Sequence, residues 1–250
     1  MRKEYNNNLE KISLYYSELG QNSKIFNGFN ILKAKKNYQR LDTIQQKIVD
    51  DELIGFMLGG VGLSPKKQEK FKEIKASLSK LSAKFEENLL DSVNSFNLHI
   101  ASKDLLAGIP ADVLKNAQLL AASDNNKGWV FTLDFPSYIP LMQYADNRKL
   151  REDMYYAYST KASELSNKKL DNTAQINAIL KLKLQLAKLL GFKDYASMSL
   201  TTKMAKSSDE IVKFLNNLAK KAKPFAVKDM KDLVKIGNRY NIDKIEAWDI

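Results

Sequence analysis

The chain has 250 residues, among them 1 His and 0 Cys, with a formal net charge of +11. One imidazole and no thiolate exclude a typical zinc site made by this chain alone, a Cys nucleophile and a disulfide framework. Carboxylate chemistry and a hard-cation site remain open, and the basic excess of 40 Lys plus Arg over 29 Asp plus Glu admits an anionic partner.

At 44% hydrophobic and 28% charged, the composition is that of a soluble globular chain with one or two domains. The opening MRKEYNNNLEK has basic residues with no apolar run behind them, so it does not read as a secretory signal. No stretch is apolar for long enough to suggest a membrane span. Zero Cys suits a reducing compartment, and the expected setting is cytoplasmic.

Asp42 and Gln45 form a capping-box pattern ahead of Ile44, Ile48, Ile54 and Leu58. Gly59-Gly60-Val61-Gly62 closes that helix, and Ser64-Pro65 opens the next with Pro at its first position. From Pro65 the apolar residues Leu78, Leu81, Phe85, Leu89, Val93 and Phe96 recur in steps of three and four. The spacing predicts one helix to Ile100, about 54 Å long at about 1.5 Å per residue. Ile109-Pro110 opens a shorter helix through Ala122, and Asp124 to Gly128 reads as a turn.

Trp129-Val130-Phe131-Thr132-Leu133 is the best strand candidate. Its partner is either a second, hidden extended segment or lies outside the chain. Pro136 and Pro140 bracket an expected loop leading into a short helix, and Asp146-Asn147 caps a helix through Leu150, Met154 and Tyr158. Asp171 caps another, ending at Gly191 where positive φ is cheap. Ser207 and Glu210 form a second capping box, and their helix continues past a kink expected at Pro224 to Leu233 and Ile236. The fold class is all-α, mostly long amphipathic helices, with at most one short strand near Trp129–Leu133. No repeat or linker divides residues 1–250, which read as a single helical region.

Candidate sites are few. His99 beside Leu98 and Ile100 could act as a base, but the positions a helical turn before it are Ser95 and Phe96, not acids. An ordinary hydrogen bond near a helix end is the better account. The Gly59–Gly62 turn could cradle phosphate, yet a helix rather than a strand precedes it and no Gly-Lys-Ser/Thr follows. Asp50-Asp51-Glu52 and Glu86-Glu87 are adjacent on helices, so they diverge by about 100° per residue. Tyr155-Tyr156-Ala157-Tyr158 fits a core or an intramolecular contact. Seven Lys among five acids in Pro65–Ile100, and eleven basic residues among seven acids in Thr201–Ile250, describe a solvated mixed surface. With no dense basic block, RNA-binding aromatic motif or helix-turn-helix, they argue against nucleic acid.

The run from Trp129 to Glu152 (WVFTLDFPSYIPLMQYADNRKLRE), continued by Met154 to Ser163, closely resembles the oligopeptidase A branch of the thimet-oligopeptidase family of zinc metallopeptidases. Tyr16 to Gln21, Gly60 to Leu63, Leu189 to Phe192, Ala196 to Ala205 and Ala247 to Ile250 match in the same register, so the resemblance covers essentially the whole chain. It implies a helical wall of a channel in which short peptides are cleaved, with zinc held by His-Glu-x-x-His and a further Glu. Two His at i and i+4 share one helix face, and the Glu between them works on the metal-bound water.

No His-Glu-x-x-His occurs in this sequence, and in the family that motif lies downstream of the Trp248-Asp249-Ile250 position. The start also reads as shortened. The expectation is therefore an internal, non-catalytic piece with no catalytic, cofactor-binding or metal residues of its own, inactive alone, whose intact enzyme uses Zn. The alternatives are a subunit of a split peptidase completed by a chain carrying the missing catalytic half, and a basic helical nucleic-acid-binding module.

Overall fold

The computed structural model describes residues 2–123 and 125–250. Among them ten α-helices and two short strands follow in the order α1 (Arg2–Gly20), α2 (Ser23–Ala34), α3 (Thr43–Leu58), α4 (Pro65–Asn94), β1 (Leu98–Ile100), α5 (Ala111–Ser123), β2 (Trp129–Phe131), α6 (Phe135–Tyr144), α7 (Arg148–Ser159), α8 (Thr173–Leu189), α9 (Tyr195–Leu200) and α10 (Ser208–Arg239). Short 3-10 turns occupy Lys36–Arg40, Lys103–Leu106 and Ala247–Asp249. The fold is all-α apart from one two-stranded antiparallel sheet.

Several boundaries sit where local chemistry places them. The Asp42 side chain accepts from the Gln45 N–H at 2.8 Å, and the Gln45 side chain accepts from the Asp42 N–H, a complete capping box on α3. Asn147, rather than its neighbour Asp146, caps α7 by accepting from the Leu150 N–H. Asp171 accepts from the Thr173 N–H and hydroxyl at the start of α8. Gly191 follows α8 with φ 86°. At α10 the box is shifted by one residue. Ser207 accepts from the Glu210 N–H, but the Glu210 carboxylate accepts from the Lys206 N–H. The helix then runs through Pro224 without interruption.

Two expectations need correction. The helix from Pro65 stops at Asn94 after 30 residues and does not reach Ile100. Asn94, Ser95 and Asn97 compete with a helix through their own side chains, and the Ser95 hydroxyl donates to the Ser92 carbonyl. The chain leaves the helix and Leu98–Ile100 becomes β1, pairing Leu98 with Phe131, His99 with Val130 and Ile100 with Trp129. The partner of the Trp129 strand therefore lies within this chain.

The second correction concerns Pro136 and Pro140, which lie inside helix α6 rather than bracketing a loop. Pro136 sits in the first turn, where its missing N–H is one of the unpaired donors anyway. Pro140 costs one helical hydrogen bond, offset by burial of Tyr138 and Leu141 on the same helix. Of the expected turn at Asp124–Gly128, Asp124 lies outside the described residues.

The chain forms two compact units. The first comprises Met1–Lys84 and Gln175–Ala219, the second Phe85–Ala174 and Lys220–Ile250. In the first, Phe71, Ile74 and Leu186 are buried with Leu63, Leu182 and Met198 packed around them. Phe26 and Phe29 each hold a ring centroid 6.0 Å from that of Phe56. A Cβ on Gly59 would stand 2.8 Å from the Gly20 carbonyl, so the ends of α1 and α3 approach each other only because Gly59 has none.

In the second unit α5 packs on β2, and one core gathers Ile100, Leu106, Phe131, Leu141, Leu150 and Met154. A buried amide pair ties residues 84 positions apart, with the Asn88 amide donating to Asn172 at 2.9 Å. The Asn172 amide in turn donates to the Phe85 carbonyl at 3.0 Å.

Candidate functional site

The residues singled out by sequence do not converge. His99 lies on β1, exposed, with Nε2 2.5 Å from the Lys127 carbonyl. A carbonyl only accepts, so Nε2 carries the proton and donates it there. The bond bridges the turn into β2, and among the described residues no carboxylate is bonded to His99 to orient it as a base.

The Gly59–Gly62 turn spends its N–H groups on the end of α3. Gly59 donates to Gly55, Gly60 to Met57 and Val61 to Phe56, at 2.8, 3.1 and 3.1 Å. Those donors cap a helix and are not aimed at a phosphate. Asp50 accepts from Lys33 at 2.8 Å and from the Tyr38 hydroxyl at 3.1 Å, and the Lys33 ammonium holds its carboxyl below the usual range. Asp51 turns away to pair with Lys47. Tyr158 stacks on Tyr138 with centroids 4.0 Å apart, and Tyr155 meets the Trp248 ring, so the tyrosine run builds intramolecular contacts.

Lysines pair locally as well. Lys70 meets Glu73, Lys149 meets Glu152 and Asp153, and Lys235 meets Asp232. That is the mixed surface the charge pattern predicts.

A groove of ≈ 660 Å³ in the first unit is lined by Ser13, Tyr16, Ser17, Lys75, Ser82 and Lys183 among apolar neighbours. Its lining holds no carboxylate and no imidazole, so it offers hydroxyls without a conventional base.

The best-organised polar cluster was not singled out by sequence reasoning. Arg148 and Arg151 stand one helical turn apart on α7 and both reach Asp249 in the 3-10 turn. Arg148 grips the two carboxylate oxygens at 2.9 and 2.7 Å, and Arg151 adds a contact at 3.2 Å. Arg151 also donates to the Trp248 and Ala145 carbonyls, and the Glu246 N–H donates to Asp249. The Asp249 side chain is only 1% exposed. Donation from Arg148 outweighs the cost of burial and holds its carboxyl at about 2. The cluster anchors the last turn of the chain to α7. The Arg-x-x-Arg spacing signals a shared face, but nothing local names a partner about a hundred residues away.

The opposite situation holds on α10. Every residue from Val212 to Asp232 is exposed, including Phe214, Leu218 and Phe225 at 64%, 53% and 71%. Side chains of that size are normally covered.

Comparison with known proteins supplies the family. A model described as the N-terminal domain of neurolysin and thimet oligopeptidase matches residues 1–68, and one described as peptidase family M3 matches residues 141–250. At the family level the chain matches the M3 peptidases. Across its whole length it is 38% identical to the oligopeptidase A of Haemophilus influenzae and 38% to that of Salmonella typhimurium, covering 37% of each relative. A probable cytosolic oligopeptidase A of Arabidopsis thaliana is 36% identical over 96% of the chain and 35% of the relative. The chain thus spans a little over a third of the length of these M3 relatives and corresponds to their N-terminal region.

M3 peptidases are zinc metallopeptidases, and the described residues do not fit that metal. Among the described residues no group of three or more His, Cys, Asp or Glu could hold an ion. Among them, too, no helix is long and apolar enough to cross a membrane.

Proposed function

We propose that residues 1–250 supply a single helical, non-catalytic region of an M3 zinc oligopeptidase, part of the wall of a channel for short peptides, and that the chain does not hydrolyse peptides by itself. One observation carries this reading: an end-to-end match covering 37% of the relatives, in a chain whose described residues contain no metal-binding group. The chemistry would be that of polypeptide carrying His-Glu-x-x-His. Zinc there would polarise the scissile carbonyl and activate water, while this chain contributes shape and enclosure. The cytoplasm is the proposed setting, in line with the relative named as cytosolic in Arabidopsis.

The exposed side of α10 favours a second reading, in which the catalytic polypeptide is a separate chain. The test of the main reading is direct. Purified chain is expected to hold well under one zinc per molecule by elemental analysis after dialysis. It is also expected to leave a fluorogenic short peptide uncut. Stoichiometric zinc together with chelator-sensitive cleavage would overturn the proposal.

A further inference from the structure

We infer that the apolar side of α10 between Ile211 and Ala226 is the docking seam for the metal-bearing remainder of an M3 peptidase. The partner's contact surface is an apolar groove with an acidic rim. The inference rests on the reading above that catalytic polypeptide completes this chain.

At about 100° per residue, Ile211, Phe214, Leu215, Leu218, Ala222 and Phe225 fall on one side of the helix, within about 100° of arc. No polar residue of that stretch enters the arc. Lys213 and Lys220 project from the other side. Val212, Ala219 and Ala226 continue the apolar side beyond Leu215, and Lys221 and Lys223 border this wider side on its two edges. Phe214, Leu215, Leu218 and Phe225 are all more than half exposed, so within this structure the strip is unpartnered. An apolar strip edged by ammonium groups matches an apolar groove edged by carboxylates.

Area sets the size of what is missing. The chain exposes 17645 Å² at a mass of 28.4 kDa. Two separate compact globules, each of half that mass, would together expose about 13,500 Å². The excess of about 4,000 Å² is several times the roughly 800 Å² that each partner buries in a standard stable interface. The uncovered apolar surface is not confined to one helix. On α8, Ile176, Leu180 and Leu184 are exposed at steps of four. Uncovered faces on more than one helix, in a chain that spans 37% of its M3 relatives, fit a large polypeptide partner better than a lipid plane.

The full chain is tagged and co-expressed with the part of Haemophilus influenzae oligopeptidase A that lies outside the matched 253 residues. Co-purification and hydrolysis of a fluorogenic short peptide are measured. Leu218→Asp and Phe225→Asp, both on exposed positions, are compared with Lys220→Asp on the other side of the helix. Circular dichroism shows that each variant still folds.

Wild type and Lys220→Asp are expected to co-purify and restore chelator-sensitive hydrolysis. Leu218→Asp and Phe225→Asp are expected to weaken both by about tenfold or more. Equal hydrolysis from all four proteins would overturn the seam and leave the proposed function standing. No co-purification and no hydrolysis with any of them would overturn the proposed function as well. Two results without co-purification would overturn the seam in favour of another occupant. One is binding of wild type, but not Leu218→Asp, to vesicles of phosphatidylcholine and phosphatidylserine. The other is self-association that Leu218→Asp abolishes.

Discussion

Phe131→Ala is expected to destabilise the second unit by about 4 kcal/mol, within the range for removing a buried aromatic ring. Phe131 is fully buried and lies on β2, where it pairs with Leu98 and joins the core that holds Leu141 and Met154. Truncation leaves a cavity at the seam of sheet and helices, and a two-stranded sheet has little pairing of its own to absorb the loss. Phe131→Leu keeps most of the volume and is expected to cost about 1.5 kcal/mol or less. The measurement is denaturant unfolding followed by tryptophan fluorescence. Both tryptophans, Trp129 and Trp248, belong to the second unit, so the signal reads that unit directly. Equal midpoints for wild type and Phe131→Ala would remove this residue from the load the core carries.

Asp249→Asn is expected to cost about 2 kcal/mol above pH 5 and nothing near pH 1.5. The folded carboxyl is held at about 2 against an ordinary value of 3.8, chiefly by Arg148. A depressed carboxyl contributes its stability above the ordinary value and loses it as pH falls through the folded one. Wild type should therefore approach the variant between about pH 4 and pH 2. Asn keeps the shape and one acceptor, so the difference isolates charge. Arg148 is 44% exposed, which keeps the figure below the roughly 3–5 kcal/mol of breaking a fully buried pair. Stability compared by tryptophan fluorescence as a function of pH checks it, and parallel curves across the range would count against the assignment.

Most of the helical order was legible because caps are local. Asp42 with Gln45, Asn147 three residues before Leu150, and Gly191 with its positive φ each act within one turn of chain. What escaped was decided at a distance or by competing periods. Phe96 continues the three-and-four spacing of α4, yet Leu98, His99 and Ile100 also alternate, being half-buried, exposed and buried. Over three residues the two periods cannot be told apart, and the pairing with Trp129–Phe131 decides. Pro140 breaks a helical rule, and the burial of Leu141 beside it overrides that cost. Asp249 finds its arginines about a hundred positions back, beyond any local pattern. At the level of function the residues argued only for what was missing, and the family motifs supplied the rest.

The bareness of α10 bears on how long the molecule would last in a cell. A helix with no tertiary cover over twenty or so residues has little beyond its own hydrogen bonds to keep it closed. Lys213, Lys220, Lys221, Lys228 and Lys231 sit in that span, each a trypsin-type cleavage point, whereas Pro224 blocks cleavage after Lys223. The chain alone is therefore expected to be nicked there first under limited trypsin, and protected once a partner lies along the helix. Cleavage elsewhere, with α10 intact, would contradict this. Proteolytic clearance of the uncovered form would then hold its abundance to that of the proposed partner.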